Sequence, residues 1–218
     1  MPRLNFQYSS PKEPYGDPNM LPTAENVAKK YGITRAECDE YAARSQNLAC
    51  LGYEEGLYPV PQRKGDPIVV DRDEILRPGT TVEALAKLKP VAGGVCTGGN
   101  CSPLNDGAAA CVLMEEEKAR SLGLKPLMRF VDFAVAGVDP RYMGLGPIPA
   151  MQKVMKRNGM TVNDFSFIEC NEAFACQTLA VQRELNIPTE ILNIRGGGIA
   201  LGHPYSATGI NLAAKSAG

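Results

Sequence analysis

The sequence has no tryptophan, a single histidine and almost no excess of charge. Its 23 basic side chains are balanced by 24 acidic ones, so the net charge is −1 at pH 7. This balance provides no general attraction to a nucleic-acid backbone or an anionic membrane, and we expect neither as a partner. With 44% hydrophobic and 22% charged residues in 218, the composition is that of a globular protein.

Long apolar runs and paired cysteines are also missing. No run approaches the roughly 20 residues that span a bilayer, and the opening MPRLNFQYSS contains no apolar signal segment. The seven cysteines are odd in number and include no CxxC pair. These features predict a soluble, cytoplasmic protein with reduced thiols. With one histidine, a zinc site would need an unusual ligand set, and we expect no metal.

The first hundred residues have little regular periodicity outside two helices. Five prolines interrupt residues 1–22, and residues 56–81 hold prolines, glycines and charges around a short apolar run at 67–70. Thr23 is predicted to cap a helix that ends at Gly32. A second helix, running to about residue 50, is predicted from the Thr34 and Glu37 capping box.

From about residue 104, apolar segments alternate with amphipathic ones. The strands predicted here are GAAACVLM, LMRFVDFAVAGV, FSFIEC and EILNI. The helices predicted between and after them are EEEKARSLG, PAMQKVMKRNG, NEAFACQTLAVQREL and SATGINLAAKSAG. This alternation predicts an α/β architecture in which helices cover the faces of a layered sheet.

A glycine-rich turn at residues 193–209 carries the histidine. It runs from a predicted strand through several glycines and the pair His203-Pro204 to a helix start. Glycines let backbone approach a ligand, and the helix N-terminus places positive dipole near the imidazole, which suits an anion or a thiolate. A hydrogen-bonded structural histidine is the alternative. The glycine spacing does not match GxGxxG, so we do not predict dinucleotide binding.

Asn171 and Glu172 follow the predicted strand FSFIEC. Ligands of open α/β sheets bind beyond the carboxyl ends of strands, so both side chains are candidates for polar contacts. Capping of the next helix is the alternative for Asn171.

Two motifs together resemble the paired signatures of thiolases. Asn171-Glu-Ala-Phe-Ala175 is followed some thirty residues later by Gly-Gly-x-x-Ala-x-Gly-His-Pro. Further matches cover nearly the whole chain: Met-Pro-Arg at 1–3, Thr-Ala-Glu-Asn-Val-Ala at 23–28, Ser-Gln-Asn at 45–47, residues 99–107 and residues 143–150. The resemblance implies an incomplete thiolase-like α/β fold. Residues 1–103 would form a helical and irregular loop domain, 104–116 the last strand of a first core domain, and 117–218 a C-terminally incomplete second core domain.

The resemblance implies catalytic roles for two residues. His203 would activate a nucleophilic cysteine. Its ring nitrogen, with a water held by Asn171, would stabilise the oxyanion of a coenzyme A thioester. A neutral imidazole can accept a thiol proton, and oriented donors offset charge on a thioester oxygen.

Four substrate contacts are implied in the same way. Ser102 would contact the pantetheine arm, Met143 and Phe174 would line the acyl and pantetheine pocket, and Lys89 would lie near the nucleotide end of coenzyme A. Ordinary core packing is the alternative for Met143 and Phe174. An exposed, unengaged lysine is the alternative for Lys89.

Several family features are missing from the sequence. Thiolases place the nucleophile in Cys-Ser-Ser/Ala-Gly and an acid/base cysteine in Cys-x-Gly-Gly, and neither context occurs. Asn-Cys-Ser-Pro, ending at Pro103, replaces Asn-Ala-Ser-Gly. Ser206 replaces a glycine, and we expect it to crowd the ligand. A pocket histidine is missing at Asn19-Met20, where many thiolases have His-Met.

The resulting expectation is a thiolase-type acyltransferase of fatty acid metabolism, present as a partial chain that is inactive alone. It would act between acyl-CoA and acetyl-CoA, or in reverse, with coenzyme A as substrate and no cofactor. A non-catalytic subunit that binds coenzyme A or a partner chain is the alternative. A ketoacyl synthase of the same superfamily is a second alternative. Such an enzyme would usually show two active-site histidines, and the single histidine of this sequence argues against it. The apolar strands at 107–114 and 127–138 need neighbours, so we expect a complementary thiolase chain or a homo-oligomer.

Overall fold

The computed structural model describes residues 19–52, 60–61, 69–70 and 73–217. Within these segments the α-helices are α1 (Met20–Tyr31), α2 (Arg35–Gly52), α3 (Val82–Ala86), α4 (Glu116–Ser121), α5 (Pro147–Asn158), α6 (Ala175–Leu185), α7 (Gly198–Leu201) and α8 (Tyr205–Lys215). Short 3-10 helices span Pro140–Leu145, Val162–Asp164 and Thr189–Ile191. None of these helices combines the length and apolar character that crossing a membrane requires.

Two short strands pair antiparallel. Strand β1 (Val60–Pro61) lies beside β2 (Val69–Val70), with Val60 opposite Val70. The strand predicted at 67–70 therefore forms at its end, while residues 67–68 lie outside the described residues. Of the irregular segment predicted at 1–22, residues 1–18 lie outside them too, and the prediction is wrong from Met20 onward, where α1 begins.

The core forms where α6 packs between α1 and α2. Buried side chains face one another from the three helices, including Val27 in α1, Ala42 in α2 and Ala180 in α6. Several of these residues are alanines, which let the helices approach closely without leaving voids. The helical pair predicted from the first hundred residues therefore packs on a helix from the far end of the chain.

Helix ends follow the local sequence closely, with one exception. Gly32 ends α1 with φ +60°, as predicted, because glycine adopts this conformation without strain. The predicted capping box is also confirmed, since the Thr34 N–H donates to Glu37 Oε2 (2.7 Å) and the Glu37 N–H donates to Thr34 Oγ1 (3.3 Å). The cap predicted at Thr23 is wrong: α1 begins at Met20, and the Thr23 hydroxyl donates to the Met20 carbonyl inside the helix (2.8 Å).

Two of the predicted strands meet in parallel. The Ile168 N–H donates to the Ile191 carbonyl (2.7 Å), and the Asn193 N–H donates to the Ile168 carbonyl (2.9 Å). A parallel bridge joins Ile168 to Leu192. FSFIEC and EILNI therefore lie side by side, as an α/β alternation predicts, although the contact is one bridge long.

The other two predicted strands, 107–114 and 127–138, are unpaired. In the described part of the chain, residues 106–114 and 125–138 make no backbone–backbone hydrogen bond. The prediction of a buried strand at 107–114 is wrong for this chain, because Val112 is 83% exposed and Leu113 81%. A strand forms its ladder with a neighbouring strand, and among the described residues none lies beside these segments. The Val135 and Phe133 carbonyls instead accept from the side chains of Lys153 and Arg157 in α5.

Candidate active site

The single histidine lies in the turn between α7 and α8. Gly202 ends α7 with φ +83°, and a Cβ there would lie 2.4 Å from Asn105 Cγ. Both conformation and space therefore require glycine at this position. Pro204 then caps α8, so His203 stands between a constrained glycine and a helix start.

His203 is half-buried and held by two contacts. Its Nδ1 lies 2.7 Å from Thr208 Oγ1, which is on the second turn of α8. The imidazole also packs edge-to-face against the ring of Tyr205, with the ring centroids 5.0 Å apart. Burial lowers the pKa of the His203 imidazole, so the neutral ring is favoured.

A cavity of about 370 Å³ lies in front of this imidazole. Five of the six predicted site residues line it: His203, Asn171, Ser102, Met143 and Phe174. The fold thus brings together residues that are far apart in sequence. Ser102 and Ala173, for example, are 71 positions apart.

The sixth predicted residue lies apart from the other five. Lys89 is exposed after α3 and lines neither this cavity nor the second one described below.

Backbone hydrogen bonds join the Ser102 segment to the Phe174 segment. The Ser102 N–H donates to the Ala173 carbonyl (3.0 Å), and the Ala175 N–H donates to the Asn100 carbonyl (2.9 Å). An antiparallel bridge between Cys101 and Phe174 lies between these two bonds. Ser102 and Phe174 therefore occupy the same wall because their backbones are locked together.

Met143 reaches the cavity from the 3-10 helix Pro140–Leu145. The next residue, Gly144, packs so closely on α6 that a Cβ there would lie 2.8 Å from Gln177 Cγ. The Asn26 side chain of α1 donates to the Arg141 carbonyl (3.2 Å). Met143 is 42% exposed, so it is a cavity wall residue and the core-packing alternative is wrong for it.

Asn171 does not cap a helix. Helix α6 begins at Ala175 with Phe174 as its N-cap, so the capping alternative is wrong. The Asn171 Oδ1 atom is buried and has no hydrogen-bond partner in the described structure. A buried acceptor without a donor costs about 1–3 kcal/mol. This atom is therefore available to a water or a ligand group.

Glu172 is an internal anchor, and its predicted ligand contact is wrong. Its fully buried carboxylate accepts from the hydroxyl of Tyr41 (2.8 Å), the hydroxyl of Ser45 (2.6 Å), the Asn193 amide (2.8 Å) and the Ile199 N–H (3.2 Å). Burial and the neighbouring carboxylate raise the pKa of Tyr41 well above its ordinary value. Four donors satisfy the carboxylate and tie α2 to the glycine-rich turn.

Gly196 and Gly197, before His203, let the turn pack closely against α2 and Glu172. A Cβ at Gly196, where φ is +69°, would lie 2.4 Å from the Ser45 carbonyl, and one at Gly197 would lie 2.4 Å from Glu172 Cδ. The close approach predicted from these two glycines is therefore to the protein's own α2 and Glu172. Ser206 is exposed on the first turn of α8 and lines neither cavity, so the expected crowding is wrong.

No thiol faces the imidazole. All seven cysteines lie in described segments, all are free, and none lines either cavity. Cys170 is close in sequence to Asn171 but is buried, and burial raises the pKa of its thiol to about 12. The cavity therefore has a half-buried imidazole and an asparagine with an unpartnered amide oxygen in its wall, but no thiol.

A second cavity, of about 560 Å³, shares Asn171 with the first. Asn105, Gly202 and Lys215 contribute to its wall. Like Asn171, Asn105 has a buried Oδ1 without a hydrogen-bond partner in the described structure.

A half-buried imidazole and the residue with the orphaned amide oxygen, Asn171, thus line one cavity beside the turn between α7 and α8. The profile described as "Thiolase, N-terminal domain" matches residues 8–117, and "Thiolase, C-terminal domain" matches residues 124–217. The chain belongs to the thiolase family.

Individual relatives agree with this assignment. An acetyl-CoA acetyltransferase of Pseudomonas aeruginosa is 50% identical over 204 residues, which cover 89% of this chain and 52% of that protein. The crystal structure of the Bacillus anthracis acetyl-CoA acetyltransferase matches with a TM-score of 0.85 and 44% identity, covering 89% of this chain and 51% of that one. Human mitochondrial 3-ketoacyl-CoA thiolase matches with a TM-score of 0.84 and 40% identity, with coverage of 89% and 51%.

These matches confirm the predicted family and the thiolase-like α/β fold. The chain spans about half the length of the relatives that it matches. Sequence reasoning missed Thr208 and Tyr205 as neighbours of the histidine. The spacing of Thr208, five residues after His203 on a predicted helix, was the available signal for one of them.

Proposed function

We propose that this chain is the histidine-bearing part of a thiolase-type acyltransferase. Its substrates are acyl-CoA and acetyl-CoA, giving 3-ketoacyl-CoA and coenzyme A, or the reverse. The observation that carries the proposal is the meeting of His203 and Asn171 in one cavity with Ser102, Met143 and Phe174. A cytoplasmic location, a place in fatty acid metabolism and the absence of a cofactor belong to the same proposal.

In the proposed reaction His203 acts as the base. The neutral imidazole accepts the proton of a cysteine thiol, and the thiolate adds to the thioester carbonyl. The carbon–sulfur bond to coenzyme A then breaks, and the proton passes to the departing thiolate. The lowered pKa of His203 supports this role, because the ring is ready to accept a proton at neutral pH.

The orphaned amide oxygen supports the proposed oxyanion contact. A water that donates one O–H to Asn171 Oδ1 keeps its second O–H for the thioester oxygen. Once protonated, His203 supplies another donor. Removing one oxyanion donor of this kind typically slows the chemical step by about 10²–10³-fold.

The substrate-binding part of the proposal rests on the cavity wall. Ser102 would contact the pantetheine arm, while Met143 and Phe174 would flank the acyl and pantetheine groups. Lys89 would meet the nucleotide end from the exposed turn after α3. The division of the chain into a loop domain and core domains at residues 103 and 116 stays a prediction.

The proposed reaction needs a thiol from outside these 218 residues, because none of their cysteines lines the cavity. The isolated chain should therefore not catalyse acetoacetyl-CoA thiolysis above a heat-treated control. Addition of a chain carrying the Cys-Ser-x-Gly segment should produce turnover. His203→Ala should then abolish turnover while light scattering shows an unchanged assembly. Turnover by the chain alone, lost on replacing one of its cysteines, would contradict the proposal.

The missing thiol also favours a second candidate, a non-catalytic subunit that binds coenzyme A or a partner chain. Calorimetry at millimolar coenzyme A separates the two. We expect weak binding that Ser102→Ala reduces and that Glu190→Gln, at an exposed position, leaves unchanged. Binding without turnover in any complemented assembly would establish the non-catalytic candidate. No binding would refute the assigned coenzyme A contacts.

A further inference from the structure

Asp39, on α2, has a buried carboxylate to which the proposed reaction gives no role. The residue is 1% exposed, and both of its carboxylate oxygens accept hydrogen bonds. Oδ2 accepts from Nε of Arg35, one turn earlier on the same helix (2.7 Å), and Oδ1 accepts from the Asn100 side-chain amide (2.9 Å). A buried carboxylate is costly unless it is paired, and this one is paired on two sides. Each of its two partners continues to another segment of the chain.

Arg35 connects Asp39 to the turn after α3. Its guanidinium also donates, through Nη2, to the carbonyls of Leu85 (2.7 Å) and Leu88 (3.0 Å). The end of a helix leaves carbonyls short of donors, and the arginine supplies donors here. Lys89, which is assigned to the nucleotide end of coenzyme A, directly follows Leu88. The backbone next to Lys89 is therefore held to α2 through one side chain.

Asn100 connects Asp39 to the loop that carries Ser102. Asn100 is 1% exposed, and its Nδ2 also donates to the Val95 carbonyl (3.0 Å). Its Oδ1 accepts from the Thr97 N–H (2.8 Å), so the loop closes around this amide. Ser102 lies two residues further on, in the wall of the 370 Å³ cavity. The backbone next to Ser102 is therefore held to the same carboxylate.

The turn and the loop also touch each other at Gly99. A Cβ on Gly99 would lie 2.5 Å from Leu85 Cδ2 and 2.6 Å from Leu88 Cδ1. The glycine thus lets the loop lie directly against both leucine side chains of the turn. Because the two segments pack on each other and share one carboxylate, the separation between Lys89 and Ser102 depends on how α2 holds both segments.

We propose that Asp39 is a positioning residue for coenzyme A, whose carboxylate sets the separation between the Ser102 contact and the Lys89 contact. This inference rests on the proposed function, in which the two contacts meet different ends of one ligand. A ligand that is bound at two ends gains affinity from the second contact only when the two contacts have the right separation. Asp39 does not touch the ligand and acts through Arg35 and Asn100.

Two probes test the proposal, coenzyme A and pantetheine. Pantetheine has the arm assigned to Ser102 but lacks the nucleotide assigned to Lys89. Dissociation constants are measured by calorimetry for coenzyme A and by ligand-observed NMR for pantetheine. The unchanged chain should bind coenzyme A more tightly than pantetheine, because only coenzyme A reaches both contacts.

Arg35→Lys separates the two contacts. Lysine keeps a positive charge beside Asp39, but a single ammonium cannot span the same three acceptors as the planar guanidinium. The turn that carries Lys89 should therefore loosen. We expect coenzyme A to bind about tenfold more weakly, whereas pantetheine should bind within about twofold of the unchanged chain.

Asp39→Asn should weaken coenzyme A at least as strongly, because both connections are disturbed. Hydrogen exchange without ligand gives an independent measurement: amides of residues 85–102 should exchange at least about tenfold faster in this variant than in the unchanged chain. If Asp39→Asn does not unfold cooperatively in urea, Arg35→Lys decides the test.

Arg44→Lys is the matched control. Arg44 is also on α2 and also donates through Nη2 to two carbonyls, those of Thr189 (2.8 Å) and Leu192 (2.9 Å). These carbonyls belong to neither the turn nor the loop. The control should bind coenzyme A and pantetheine like the unchanged chain.

Three outcomes would overturn the inference. They are unchanged coenzyme A affinity in Arg35→Lys, equal weakening by Arg44→Lys, and a loss of pantetheine affinity in Arg35→Lys as large as the loss for coenzyme A. The last would show a general loss of structure. An unchanged chain that binds no coenzyme A would refute the proposed contacts as well. Binding that Ser102→Ala reduces and Arg35→Lys leaves unchanged would refute this inference alone.

Discussion

Thr208 Oγ1 lies 2.7 Å from Nδ1 of His203. Thr208 is buried and on α8, so the helix fixes the imidazole through this contact. The bond occupies one ring nitrogen and leaves Nε2 for the cavity. Because a threonine hydroxyl can donate or accept, the tautomer of the ring decides whether Nε2 can act as a base.

For the proposed base role, Nδ1 must carry the proton and donate to Thr208. We expect nitrogen-15 NMR of the single histidine to show this tautomer, and Thr208→Val to shift the population toward protonated Nε2. Thr208→Ser should restore the original spectrum, because it keeps the hydroxyl. A predominant Nε2–H tautomer in the unchanged chain would contradict the base role.

Because the His203 side chain is partly buried, the folded chain should become less stable at low pH. Because its pKa is lowered in the folded state, the unfolded chain binds the proton more tightly. The free energy of unfolding should therefore fall as pH drops below about 6.5, the ordinary histidine value, and level off below the folded pKa. The midpoint measured by proton NMR should lie below 6.5. His203→Gln should remove this part of the pH dependence, and a midpoint above 6.5 would contradict the prediction.

Two glycine-to-alanine changes should have opposite effects. Gly197→Ala places a Cβ 2.4 Å from Glu172 Cδ and should lower the free energy of unfolding by about 2 kcal/mol through overpacking. Gly209→Ala, in α8 with no atom within 4 Å of its Cβ, should raise it by about 0.5–1 kcal/mol. The stabilities of the two variants can be compared through the midpoints of urea unfolding, measured on monodisperse samples. Equal effects would show that space around Gly197 is not limiting.

Glu172→Gln should be strongly destabilising. The substituted amide cannot accept all four donors, so at least the Ile199 N–H or an equivalent group loses its partner. A loss of about 3 kcal/mol is expected from a buried charge-assisted network. Glu190→Gln, at an exposed position, is the matched control and should change stability by less than about 0.5 kcal/mol. A similar result for both variants would refute the anchor role.

Thiol labelling should separate exposed from buried cysteines. Cys111 is exposed and should react first with a maleimide. Cys170 should react only after unfolding, because burial raises the pKa of its thiol to about 12 and the thiolate is the reactive form. Site mapping by mass spectrometry will give the order, and Cys111→Ser should remove the fast phase. Rapid labelling of Cys170 in the folded chain would contradict this assignment.

Local signals predicted the helix ends well. Gly32, Gly159 and the Thr34 and Glu37 box act within one turn of chain, so a few adjacent residues determine them. The Glu172 network escaped prediction because its partner Tyr41 lies 131 residues away. The same limit made Asn171 look like a helix cap, since only the packed structure shows that α6 begins at Ala175.

The sequence by itself determined the family and five residues that line one cavity, His203 among them, because the thiolase motifs are contiguous stretches that survive in order. The tertiary structure decided which polar groups are anchors and which are available: Glu172 is saturated by four donors, whereas Asn171 keeps an unpartnered oxygen. It also decided that residues 107–114 and 127–138 make no backbone–backbone hydrogen bond within the described part of the chain. The physical reason is that strand pairing and buried hydrogen bonds depend on which distant neighbours are present, and a local pattern does not contain them.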